Sequence, residues 1–134
     1  MHLNHLNLPV TNLAEARAFF EDLLDFQFLA QAGEHIVALS DGNGFMLVLA
    51  NAAHFGDGEP PRYPEPFHVG FNLETRAQVD QMYERVAAAG LPLPHRPRYR
   101  AFHYSFYFTA LDGILFEIAS HAGDEGDRGI GLSP

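Results

Sequence analysis

From His2 to Leu8 polar and apolar residues alternate with the two-residue period of a half-buried strand, and Pro9 ends the pairing. The period then changes. Asn12, with Glu15 three residues on, has the form of a capping box, and Leu13, Ala16, Phe19, Phe20, Leu23 and Leu24 recur at helical spacing, which predicts a helix closing near Asp25. Three short strands are expected next, at about Phe26 to Gln31, His35 to Ser40 and Phe45 to Leu49, with Gly33 and Asp41-Gly42-Asn43-Gly44 as turns. The stretch from Asn51 to Pro66 holds two Gly, four Pro and three acidic residues without periodicity, so it reads as a connection.

After it the order starts again. Phe67, Val69, Phe71 and Leu73 alternate as a strand; Thr75 and Gln78 form a second capping box; Val79, Met82, Tyr83, Val86 and Ala87 mark a helix closed by Gly90. Strands are expected at about Arg96 to Arg100, His103 to Thr109 and Ile114 to Ser120, with Asp112-Gly113 as the last turn. The pattern predicts one α+β domain of two βαβββ modules, residues 1–50 and 67–120, with a linker at 51–66 and a flexible tail at 121–134. Such modules are expected to form a half-open curved mixed sheet around a groove, helices outside.

Alternation also assigns faces. His5 precedes its cap, Asn12, by seven residues, and His68 precedes Thr75 by the same seven, so each module places a histidine at an equivalent point of its first strand. His5 shares a face with Asn7, and His68 with Gly70 and Asn72; His103, Ser105, Tyr107 and Thr109 fall opposite Phe102, Tyr104, Phe106 and Phe108. Glu117 stands amid Ile114, Leu115, Phe116 and Ile118, where an unpaired carboxylate costs several kcal/mol or more. A divalent metal held by His5, His68 and Glu117 is one explanation; solvated or hydrogen-bonded histidines, and a glutamate paired with Arg or wetted on an edge strand, are the others.

Composition narrows the classes. The chain of 134 residues has eight Arg, no Lys and seventeen Asp and Glu, a net charge of −9 that repels a phosphate backbone, so nucleic acid is not an expected partner. The longest apolar run, Phe45 to Ala50, is six residues against the roughly 20 a membrane helix needs, and the N-terminus has no leader-like pattern. With no Cys, disulfides, thiolate metal sites and thiol nucleophiles are excluded. A cytoplasmic protein is the default expectation.

Three segments, HLNLPVTNLAEARAFFEDLLDF, FHVGFNL and SFYFTALDGILFEIA, resemble the vicinal oxygen chelate superfamily: glyoxalase I, extradiol dioxygenases, fosfomycin-resistance enzymes and bleomycin-resistance proteins. The resemblance runs from His5 to Ser120 and implies that His5, His68 and Glu117 are metal ligands. Where glyoxalase I and related epimerases supply a fourth ligand, this chain has Val48 or Met46, neither of which binds a hard or borderline ion, so it resembles the members with two His and one carboxylate. LLDF stands where LLGF is common, with Asp25 in a left-handed cap position.

The implied activity is a metal-dependent enzyme, extradiol-dioxygenase-like or fosfomycin-modifying-like, acting on a small substrate that chelates one divalent ion (Fe, Mn, Zn or Ni) through adjacent oxygens. Tyr107 resembles the tyrosine that orients substrate, or is a packed ring; Arg96, Arg98 and Arg100 share a strand face suited to an anion, or form an exposed edge whose charges resist pairing. The expected surroundings of the ion are Asn7, His103 and Tyr107, with His103 as acid or base, Tyr107 also catalytic, and Asn7, Ser105, Arg98 and Arg100 binding substrate. The competing expectation is a bleomycin-resistance-like protein that sequesters a bulky ligand without chemistry, supported by the acidic balance, twelve Phe and five Tyr. A homodimer is expected, its modules paired within or across subunits.

Overall fold

The computed structural model describes residues 1–121, so all but the first residue of the expected tail lies outside the described residues. Two units, Met1–Arg62 and one beginning at Tyr63, repeat one order of elements. The first contains β1 (His5–Val10), α1 (Leu13–Ala18), β2 (Gln27–Ala32), β3 (Ile36–Ser40) and β4 (Met46–Asn51), with sheet order β1-β4-β3-β2. The second contains β5 (Val69–Asn72), α2 (Arg76–Ala88), β6 (Arg98–Arg100), β7 (His103–Ala110) and β8 (Ile114–Ser120), with order β5-β8-β7-β6. In each, a helical crossover lets the first strand lie parallel to the last, and hairpins make the remaining pairs antiparallel. Both units are therefore βαβββ with a mixed sheet, and the fold is α+β.

The helix starts follow the caps. Asn12 Oδ1 accepts from the Glu15 amide at 3.0 Å, which is one half of the expected box. At Thr75 both halves form: Thr75 Oγ1 accepts from the Gln78 amide at 3.1 Å, and the Thr75 amide donates to Gln78 Oε1 at 3.1 Å. The first helix departs from the expected regular run to Asp25. After Ala18 it widens into a π turn at Phe19–Leu23, and the Phe26 amide reaches back to Phe20 O at 2.9 Å. The wide turn accommodates buried Phe20 edge-to-face with Phe19 and Phe26, at 5.0 and 5.4 Å between ring centroids. Asp25 has φ 61°, the left-handed position that LLDF suggests.

Two other expectations shift. β5 starts at Val69 rather than Phe67, because the Phe67 amide is already used in a turn to Pro64 O at 2.8 Å. β6 starts at Arg98, so Arg96 escapes the alternation and its guanidinium lies 5.6 Å from the Tyr83 ring of α2. Arg96 therefore does not share a strand face with Arg98 and Arg100.

Each helix covers one face of its own sheet. In the second unit Val79 and Val86 of α2, and Phe106, Phe108, Phe116 and Ile118 of the sheet, are buried, and each buried Phe stabilises the fold by about 1.5–3 kcal/mol relative to exposure. On the same side Tyr104 donates to Asp80 Oδ1 at 2.6 Å, while Arg76 bonds Tyr99 and sits 5.8 Å from the Tyr104 ring, tying β6 and β7 to α2. Burial, then the Asp80 bond and charge, push the Tyr104 hydroxyl up to about 12 from 10.0. The folded chain thus keeps a proton that the unfolded chain loses near pH 10. Stability should hold below that pH and fall as pH rises towards 12. Denaturant titrations from pH 8 to 11.5 should show this fall in the wild type and a shallower one in Tyr104→Phe, which itself costs about 1 kcal/mol at neutral pH. Parallel curves would remove Tyr104 as the cause. Among the described residues no helix is long and apolar enough to cross a membrane.

Candidate functional site

Because α2 takes one face of the second sheet, the other face carries the polar residues. Cross-strand register sets Glu117 of β8 between Gly70 of β5 and Tyr107 of β7, and Arg100 opposite His103. Glu117 is only 7% exposed. Burial, the largest single influence, raises its pKa, but hydrogen bonds from Tyr107 and His103, the His103 charge and nearby Ser105 together outweigh it and hold the carboxyl below its ordinary value. His103 Nε2 is 2.6 Å from Oε2, the length of a strong charge-assisted bond. The Tyr107 hydroxyl donates to the same carboxylate, and burial, that bond and the Glu117 charge raise the tyrosine pKa. Ser105 Oγ is buried close by but has no partner at ordinary hydrogen-bond geometry among the described residues, and neither has His103 Nδ1.

His68 approaches the other carboxylate oxygen. Its Nδ1 lies 2.9 Å from the Pro66 carbonyl, an acceptor, so Nδ1 carries a proton and, in the neutral ring, the lone pair is at Nε2. That Nε2 is 3.4 Å from Glu117 Oε1. A proton on Nε2 or a shared cation would join these two atoms. Gly70 leaves room above them: a Cβ would sit 3.7 Å from Oε1.

The first unit holds His5 and Asn7, both exposed and both on the β1 face turned away from buried Leu8 and Val10. His5 Nδ1 is 2.7 Å from Asn4 Oδ1, which again leaves Nε2 as the lone-pair nitrogen. In the second unit, one imidazole nitrogen and one ionised carboxylate are donors of the kinds a borderline divalent ion takes. Within each unit, no three His, Asp or Glu side chains among the described residues are grouped to hold a metal by themselves. Register also decides which residue is the counterpart of Glu117. Glu117 pairs with the residue two beyond His68, and Val48 pairs with Asn7, two beyond His5, so the apolar counterpart is Val48 and not Met46.

The second unit thus brings together His68, His103, Ser105, Tyr107 and Glu117, with Arg100 beside them. Arg98 is exposed on β6. The sequence reading missed His95, whose Nε2 is 3.2 Å from Arg100 Nη2 and whose ring stands 6.3 Å from that of Tyr107. It also missed His121, bonded through Nδ1 to Asn72 Oδ1 at 2.8 Å. Both lie outside strands, where no periodicity orients a side chain. A cleft of about 540 Å³ on the first unit, lined by Asn12, Arg17, Glu21 and Gln31, opens beside α1, on the side of the sheet away from His5. Arg17 there already bonds Glu21 and Gln31, so the cleft is satisfied by its own walls.

The chain is similar to a possible glyoxalase from Bacillus cereus, at 32% identity and a TM-score of 0.76 over 89% of this chain and 98% of that one. It resembles a fosfomycin resistance protein from Listeria monocytogenes at 26% identity and TM-score 0.72, over 95% and 94% of the two chains. With lactoylglutathione lyase from Agrobacterium tumefaciens, at 21% identity and TM-score 0.70 over 89% and 92%, it shares the fold. The family model of the Glyoxalase/Bleomycin resistance protein/Dioxygenase superfamily matches residues 2–118, nearly the whole of both βαβββ units, and the chain belongs to that superfamily.

Proposed function

We propose that this protein is a divalent-metal-dependent enzyme acting on a small substrate that chelates the ion through adjacent oxygens, with His5, His68 and Glu117 as the protein donors. The observation that carries the reading is the ionised, buried Glu117 facing the Nε2 lone pair of His68 at 3.4 Å. When bound, the ion supplies Lewis acidity to adjacent substrate oxygens. The chain's own groups do the rest. His103 and Tyr107 orient the Glu117 carboxylate through their bonds to it, and His103 is the acid or base of the site. Ser105, Asn7, Arg98 and Arg100 bind substrate, and Tyr107 positions it. His5 comes from the same chain or from the second subunit of a homodimer.

Relatives described as a lactoylglutathione lyase and a fosfomycin resistance protein support a small-molecule substrate. The deciding experiment is elemental analysis of protein purified without chelator or affinity metal. One iron, manganese, zinc or nickel per chain is expected, and it should be lost in His68→Ala. Metal content that His68→Ala leaves unchanged would overturn the assignment and favour sequestration of a bulky ligand.

A further inference from the structure

Away from Glu117, the first unit stacks two histidines against each other. His35 stands just ahead of β3 and His54 lies on the turn that follows β4. Their ring centroids are 3.4 Å apart with an interplanar angle of 25°, and both residues are exposed. Phe55 meets the His54 ring edge-on at 4.8 Å. Gly33 makes the room for this stack: its φ is 55°, and a Cβ there would come 3.4 Å from His35 Cδ2. Asn51 aligns the two segments. Its amide donates to His35 O at 2.8 Å and its Nδ2 to Glu34 O at 2.9 Å, while its own carbonyl accepts from the His54 and Phe55 amides at 3.0 and 3.3 Å.

Because both rings are wetted, their contact depends on the charge they carry. Imidazole changes charge between about pH 5 and 8. A neutral ring can offer its face to a neutral or to a charged neighbour, but two imidazoliums at stacking distance repel. The charged groups on the elements around the pair are Glu34 beside His35, Asp57 and Glu59 further along the connection, and Arg17 and Glu21 at the helix. Arg17 bonds Glu21 and Gln31, and Asp57 Oδ1 accepts from the Glu59 amide at 3.0 Å. Among the described residues none of these groups pairs with either imidazole, so no counter-charge holds the rings together once both are protonated.

We propose that His35 and His54 form a pH-sensitive clasp. Stacked, they hold the start of the connection against the β2–β3 turn; they part when both take up a proton. Parted rings accept the second proton more readily than the stacked pair, so the clasp closes at higher pH and opens as pH falls. Opening frees the turn at His54 and Phe55, on the segment that leads out of the first unit towards His68. The clasp owes nothing to the metal assignment.

The test is nuclear magnetic resonance of the full chain at pH 7.5 and 5.0. Through-space contacts between the ring protons of His35 and His54 should be present at pH 7.5 and lost at 5.0. Over the same interval the His54 and Phe55 amides, corrected for intrinsic exchange, should lose at least threefold in hydrogen-exchange protection. Buried Val37 and Leu49 should keep theirs, which separates opening from unfolding. His54→Phe keeps a ring against His35 and removes the second charge, so ring contacts and protection should persist at pH 5.0. His35→Phe should behave alike and serves if the first variant does not fold. Glu34→Gln should leave the acid response in place; its loss there would assign the response to the carboxylate and overturn the clasp. Absent ring contacts at pH 7.5, equal protection of the wild type at both pH values, or an undiminished acid response in the Phe variants would overturn it too.

Discussion

Glu117→Gln is expected to abolish stoichiometric metal binding, lowering affinity at least about a hundredfold, while leaving the metal-free protein about as stable as the wild type. Loss of groups that merely orient a ligand typically costs 10–100-fold, and this substitution removes the charged donor itself. The effect on folding runs the other way. A glutamine amide keeps the shape of the carboxylate, its oxygen can still accept from His103 Nε2, and its NH2 can donate to the His68 Nε2 that Oε1 now faces at 3.4 Å. The new amide bond joins the two side chains without a proton or cation between them and offsets the loss of the carboxylate's charge, so the change in metal-free stability should stay within about 1 kcal/mol. Metal titration followed by elemental analysis, alongside thermal unfolding of stripped samples, reads both effects. A variant that still retains one ion per chain would remove Glu117 from the ligand set.

One position earlier on β8 the consequence reverses. Phe116→Ala should cost about 3–5 kcal/mol of folding stability, a large share of the 5–15 kcal/mol of a typical domain. Phe116 is fully buried, with its ring 6.1 Å from Phe71 and 5.4 Å from Phe108, and the space left by the ring is closed in by Phe108 and Phe106, also fully buried. Truncation thus removes apolar burial and opens a cavity that the surrounding strands cannot collapse to fill. The melting temperature should fall by roughly 10 °C or more. A loss below about 1 kcal/mol would mean that the aromatic stack is not what holds β5, β7 and β8 together. The neighbours on one strand separate cleanly: Glu117 governs the chemistry with little effect on folding, and Phe116 governs folding.

Much of this was legible in the order of residues. The change from period two to helical spacing at Asn12, and again at Thr75, marks where strands hand over to helices, and both caps form there. The seven-residue spacing of His5 to Asn12 and His68 to Thr75 announces the repeat. The alternation of His103 to Thr109 separates the face carrying Ser105 and Tyr107 from the one carrying Phe106 and Phe108, and Glu117 in an apolar strand signals a carboxylate in need of a partner. Where the reading erred, the backbone had another use for its groups: the Phe67 amide in a turn shortens β5, and Arg96 lies before the paired part of β6.

The sequence by itself determined the elements, their twofold order and the face on which each strand residue lies, because these depend on local periodicity. Only the tertiary structure decided which residues meet. Alternation says that His103 and Glu117 lie on polar faces, but cross-strand pairing, set by turn length and interstrand hydrogen bonds, places imidazole and carboxylate 2.6 Å apart across 14 residues. The same pairing matches Val48 with Asn7, and the Pro66 carbonyl selects the lone-pair nitrogen of His68. His95 reaches Arg100 from an irregular segment, where side-chain direction follows from the path of the whole loop and no local pattern encodes it.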